Sequence, residues 1–304
     1  MQRLEFVLFR IVQLLLSIPS DASIRKWGSR IGRLAHRLLG GRSRKAIANA
    51  RASFPERSPA ECEDIVRRSW IRFVTMMLFY VRRLGEEIRE VEAANRILDQ
   101  HVLRDALDEG KGAILVTAHY GDWEFGVGAL SQLDLPVTVV ARFLDNELLE
   151  QQLNQSRARR GIEIVDRRSA ARPVLTALAG NGIVVMLADQ AVKPREGVCV
   201  PFLGRPAWTT TAPAKLAMRH GAPIVFAFGE PVGEEIHWRI EGPLRASDPG
   251  MSSVEALTTR INDVITERIR RRPELWFWQH DRWKGAGEAS RSNDSVSSGP
   301  ASSL

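Results

Sequence analysis

Gly112-Ala-Ile-Leu-Val-Thr117-Ala-His119-Tyr-Gly121-Asp-Trp-Glu124 decides how this chain is read. Ala113–Thr117 is short, apolar and rich in β-branched residues, which predicts a buried strand. His119 then stands at the carboxyl end of that strand, where open α/β sheets place their ligands. Gly121 removes side-chain bulk beside the imidazole. Glu124, five positions on, can orient the ring and stabilise it when protonated. Asp122, at i+3, is the alternative partner and would share the face of His119 better if the segment were helical. A histidine so held can remove a proton from a hydroxyl.

Working outward, helical and strand patterns alternate from about residue 95. A helix is expected over 95–109, ending at Gly110-Lys-Gly112. Further strands are expected at 136–141, 162–165, 182–188 and 223–228. Helices are expected at 146–159, 170–179, 209–220 and 253–271. This alternation predicts a layered α/β sheet. Asp189-Gln190 follows the strand at 182–188, so a second strand end delivers an acid-base residue. Two such ends suggest one shared pocket.

The amino-terminal region is different. Residues 4–18 form one apolar stretch ending at Pro19. Fifteen residues of helix span about 22 Å, short of a ~30 Å hydrocarbon core. An interfacial or re-entrant anchor fits better than a spanning helix; a docked core helix is the rival. No cleavable leader is expected, because Arg10 and Gln13 interrupt the run. A second helix starts at Ser20 or Asp21 and is closed by Gly40-Gly41. Trp27, Ile31, Leu34 and Leu38 form an apolar stripe beside Lys26, Arg30, Arg33 and Arg37. Basic side chains beside an apolar face suit lipid headgroups. Helices follow at 44–53 and 59–83, the latter opening on a capping box, Ser58-Pro-Ala-Glu61.

Charge follows the same division. Residues 1–83 hold 17 Lys/Arg against 6 Asp/Glu, net +11, and the remainder is net −4. The basic excess therefore lies beside the apolar helices and fits an anionic membrane surface. No nucleic-acid-binding pattern is present. Cys62 and Cys199 show no metal-ligand or disulfide spacing, so no metal is expected. GxSxG, P-loop and GxGxxG contexts are absent. With 304 residues, 44% of them hydrophobic, the chain can bury a sizeable core. Residues 285–304, rich in Ser and Gly, read as a disordered tail.

The His119-x4-Glu124 spacing resembles the signature of the bacterial lipid A late acyltransferases, within the glycerophosphate acyltransferase superfamily. The resemblance extends in order through Arg142-x2-Asp-Asn146, an arginine aligning with Arg157 (Arg159 is the fallback), Ala-Asp189-Gln190, Val200-Pro-Phe-Leu-Gly204, and Trp208 to Ala217. It ends in the aromatic stretch Trp276 to Lys284. It covers about residues 1–284 and implies a mixed sheet flanked by helices. The membrane-associated helical region would be 1–90 and the acyltransferase core 91–284. It implies transfer of a fatty acyl chain from a thioester, on acyl carrier protein or coenzyme A, to a hydroxyl of a lipid A precursor. The setting would be the cytoplasmic face of the inner membrane, with no cofactor. His119 would be the base, Glu124 its orienter, Arg157 a phosphate or charge ligand and Asp189 a support for the polar network. Arg142, Asn146, Gln190 and Thr210 would contact substrate, although Thr209–211 equally reads as a helix cap. Two acyltransfer rivals are a phosphatidylinositol mannoside and another lysolipid as acceptor. A thioesterase, or a non-enzymatic basic membrane-binding protein, are the remaining alternatives.

Overall fold

The computed structural model describes residues 2–84, 95–158 and 162–286. The expected tail beyond 286, and Arg159 and Arg160, lie outside the described residues. Four helices come first: α1 (Gln2–Ser17), α2 (Asp21–Leu38), α3 (Gly40–Ser53) and α4 (Pro59–Arg83). Both halves of the capping box of α4 form between Ser58 and Glu61. Gly40-Gly41 opens α3 rather than closing α2. Leu39 is the single break between the two helices.

The rest alternates strand and helix: β1 (Asn95–Leu98), α5 (Gln100–Leu107), β2 (Ala113–Thr117), α6 (Gly126–Leu130), β3 (Val137–Ala141), α7 (Glu147–Ala158), β4 (Ile162–Asp166), α8 (Ala171–Ala179), β5 (Ile183–Leu187). Then follow β6 (Gly197–Phe202), β7 (Arg205–Thr210), α9 (Ala212–His220), β8 (Ile224–Val232), β9 (Glu235–Leu244) and α10 (Val254–Arg271). A seven-stranded sheet has the order β1-β9-β8-β2-β5-β3-β4. Strands β2, β3, β4, β5 and β8 run parallel, whereas β9 runs antiparallel to β8 and β1 follows β9. The sheet is mixed, with helices on its faces. β2 lies at its centre, buried throughout. Ile114 and Val116 face one apolar layer, which also takes in Phe54, Val66 and Trp276. Ala113 and Leu115 face the other, with Ile24, Met76 and Phe125.

Two expectations fail on long-range partners. The helix expected at 95–109 is a strand followed by a shorter helix, broken at Asp99 in the left-handed region (φ 58°). The strand exists because β9 pairs with it and the Trp238 indole N–H donates to Asn95 Oδ1 at 2.8 Å. The helix expected from 209 begins at Ala212, since Thr209 and Thr210 finish β7, the partner of β6 in a hairpin.

The amino-terminal helices pack with large apolar side chains turned outward. α2 meets α4 through Ile24, Gly28 and Gly32, all buried. A Cβ on Gly28 would lie 2.2 Å from Thr75 Oγ1, and one on Gly32 would lie 2.5 Å from Ile71 Cα. That close approach turns Trp27, Ile31, Leu34 and Leu38 outward. α1 likewise buries Gln13 and Leu16 while exposing Leu4, Leu8, Leu14 and Leu15. Among the described residues no helix is long and apolar enough to cross a membrane.

Candidate active site

Adjacent parallel strands carry the site. Thr117 on β2 is in register with Leu187 on β5, so the residues two further on, His119 and Asp189, meet beyond the sheet edge. His119 Nδ1 lies 2.8 Å from Asp189 Oδ1. The His119 backbone N–H donates to Asp189 Oδ2 at 3.0 Å. The Trp276 indole N–H donates to the same oxygen at 2.8 Å. On the other side of the ring, the Gln190 amide nitrogen lies 3.1 Å from His119 Nε2. Asp189 is 1% exposed and deeply held, whereas the His119 side chain keeps 22% of its surface accessible. The arrangement is an imidazole held on Nδ1 by a buried carboxylate, with Nε2 turned to the Gln190 amide.

The backbone fixes this geometry. Gly121 has φ 62°, and a Cβ there would fall 1.8 Å from the Gly229 carbonyl oxygen. That approach lets the Gly121 N–H donate to Leu275 O at 2.9 Å and the Asp122 N–H to Gly229 O at 3.1 Å. The Phe277 N–H donates to His119 O at 3.0 Å. The loop is thereby clamped between β8 and the carboxyl-terminal aromatic segment. Trp123 and Phe277 stand 5.4 and 6.3 Å from the imidazole, ring centre to ring centre, and Phe73 of α4 packs on both. They give the imidazole an apolar surround.

Electrostatics follow from burial and pairing. Burial, the largest influence, pulls the His119 pKa down, but the Asp189 charge and hydrogen bond, with the Glu124 charge, outweigh it and set it above the ordinary histidine value. Burial likewise pushes Asp189 up, yet its charge pairing and hydrogen bonds with His119, and the Trp276 indole, hold it below the usual carboxylate range. The two groups therefore stabilise an imidazolium–carboxylate pair.

The other expected residues are placed differently. Glu124 accepts from the Trp123 indole N–H at 3.1 Å; the carboxylate hydrogen-bonded to the imidazole is Asp189. Glu124 reaches His119 by charge alone. Asp122 pairs with Arg72 of α4 at 2.9 Å. Arg142 pairs locally with Asp145 at 3.2 Å on the surface. Asn146 caps α7 by accepting from the Leu148 and Leu149 N–H groups, and it donates to Gln2 O and Glu5 Oε2 of α1. Thr210 accepts from the Ala212 N–H at 3.3 Å, a local turn contact. Arg157 sits in α7, its side chain outside the described atoms. Sequence reasoning missed Trp276 as an Asp189 ligand, although its Trp-rich segment had stood out. Among the described residues no group of three His, Cys, Asp or Glu side chains converges as a metal site requires.

The bacterial lipid A biosynthesis acyltransferase model matches residues 3–285. The chain belongs to that family. It is 29% identical over 205 residues to the phosphatidylinositol mannoside acyltransferase of Mycolicibacterium smegmatis, covering 66% of this chain and 64% of that protein. The chain thus spans just under two thirds of that relative's length. It is 26% identical over 276 residues to the lipid A biosynthesis lauroyltransferase of Escherichia coli K12, covering 90% and 89% of the two chains. The E. coli lipid A biosynthesis palmitoleoyltransferase is 24% identical over 270 residues, covering 84% and 83%.

Proposed function

We propose that this family member transfers a fatty acyl chain from an acyl thioester to a hydroxyl of a lipid A precursor, with His119 as the general base. The His119–Asp189 pair carries the reading. In the neutral ring the Nδ1–H donates its hydrogen bond to Asp189, which leaves the lone pair on Nε2. The acceptor hydroxyl takes the place of the Gln190 amide and gives its proton to Nε2. Its oxygen attacks the thioester carbonyl; the carbon–sulfur bond then breaks and the thiolate recovers the proton from the imidazolium. Thioesters are activated, so no covalent enzyme intermediate is needed. Asp189 orients the ring and stabilises its charge. Glu124 adds a second negative charge nearby. Arg157 is offered as a ligand for acceptor phosphate, on the family resemblance.

The amino-terminal helices are proposed to lie in the cytoplasmic face of the inner membrane. Support comes from the outward stripe of α2, with Lys26, Arg30, Arg33 and Arg37 exposed beside it, and from the apolar outer face of α1. A monotopic arrangement suits described helices none of which is both long and apolar enough to span. The second reading, transfer to a phosphatidylinositol mannoside or another lysolipid, draws on the mycobacterial relatives.

The test is transfer by the purified chain, from acyl carrier protein and coenzyme A thioesters in turn, to each acceptor, read by product mass. A lipid A precursor gaining one acyl chain, with the gain lost in His119→Ala, supports the first reading. Acylation of the mannoside alone selects the second. Thioester hydrolysis without transfer would overturn both.

A further inference from the structure

A cavity of about 280 Å³ lies between the first turns of α3 and the carboxyl-terminal segment, lined by Arg42, Lys45, Trp278, Gln279, His280 and Asp281 among others. It is separate from the expected site residues, and the mechanism uses none of its side chains. Two cations face one carboxylate. Lys45 pairs with Asp281 at 2.8 Å, and Lys45 is 62% exposed, so that pair is open to competition by another anion. Arg42 adds an exposed guanidinium, whose planar fork matches phosphate oxygens.

The cavity also abuts the catalytic loop. The Ala191 N–H donates to His280 Nε2 at 3.2 Å, and Ala191 follows Asp189-Gln190 directly. With Nε2 accepting, the neutral ring bears its proton on Nδ1 and keeps a donor. Burial, chiefly, holds the His280 pKa below its ordinary value, so charge here comes from Arg42 and Lys45.

We propose that this cavity is a phosphate subsite, holding a phosphate ester of one substrate while its reacting end lies at His119. The inference rests on the acyl-transfer reading above. Phosphate esters come from two sources: the phosphopantetheine arm of the thioester donor and the phosphate of the glycolipid acceptor. Both substrates must reach Nε2 of His119, and the wall residue His280 stands one hydrogen bond from the loop that holds this base's partners.

The test uses the full chain in detergent micelles, with Arg42→Gln, Lys45→Gln, the double variant, and Arg44→Gln as a control from the same helix. Each is assayed with donor and acceptor, each with or without its phosphate: acyl-phosphopantetheine against acyl-pantetheine, and acceptor against its dephosphorylated form. Charge-assisted contacts of this kind predict a loss of about tenfold in kcat/KM for the double variant, with kcat little changed. The loss should vanish against the substrate lacking the relevant phosphate, because the two deletions remove one interaction. Coupling to the donor phosphate or to the acceptor phosphate supports the site and names its source; coupling to neither overturns it. Inorganic pyrophosphate, titrated against the fluorescence of Trp278 in the wall, gives a readout free of turnover. If the wild type shows no transfer, the functional reading fails, and the titration alone decides the subsite. Saturable binding lost in the double variant retains it, and binding that is absent or unchanged overturns it.

Discussion

Replacing Asp189 by Asn tests the core of the mechanism, because the surroundings dictate how the amide must sit. Asp189 Oδ2 accepts two N–H groups that cannot act as acceptors, the His119 backbone amide and the Trp276 indole. An asparagine must turn its carbonyl oxygen to them, which leaves its NH2 facing His119 Nδ1. That nitrogen then has to accept, so the ring proton moves to Nε2 and the lone pair faces the wrong way. The loss should be roughly 10²–10⁴-fold in the plateau rate. Stability should fall by only about 1 kcal/mol, since both buried donors stay satisfied. The pH profile adds a sign. In the proposed mechanism the base is neutral His119, so activity rises as pH climbs through its pKa, which the Asp189 charge holds above the ordinary histidine value against burial. Without that charge the rising limb moves to lower pH while the plateau drops. Initial rates of acyl transfer across pH measure both, and nitrogen-15 spectra of the imidazole read the tautomer. A variant with the wild-type plateau, an unmoved limb and the proton still on Nδ1 would refute the reasoning.

Further expectations follow from the same structure. His119→Ala should lower transfer by roughly 10²–10⁴-fold with the fold intact; near-normal transfer would remove it as the base. Glu124→Gln should shift the pH limb downward and slow transfer while leaving the tautomer on Nδ1, because Glu124 acts on the ring by charge; a tautomer switch would mean direct contact. Gly121→Ala should cost roughly 3 kcal/mol or more, from the left-handed backbone and the collision with Gly229 O, read as a lowered denaturant midpoint. Trp27→Glu with Ile31→Glu should weaken binding to anionic vesicles at unchanged stability, since each exposed apolar side chain would contribute about 1.5–3 kcal/mol when buried in lipid. High salt alone should leave most of the wild type bound, because apolar burial dominates the binding and exposed charges are already screened beyond ~8–10 Å at physiological salt.

Much of the fold was legible locally. The apolar run Ala113–Thr117, the glycines around it, the Ser58 capping box and the later helices carry their own short-range physics, and the structure has them within a few residues. β9 was not among the expected strands, although Ile236, Trp238 and Ile240 alternate along it and are buried. Its partner β1 carries no such alternation to read, because Asn95–Leu98 is a strand only by virtue of that pairing. The sequence by itself also put His119 and Asp189 at strand ends. Only tertiary structure decided that β2 and β5 are neighbours, and therefore that Asp189, seventy residues away, holds the imidazole instead of the nearer Glu124. The same division holds for α2. Its apolar and basic stripes are a property of helical spacing. Which face packs was decided by Gly28 and Gly32, whose missing side chains let α4 approach so closely that the larger apolar residues were left outside.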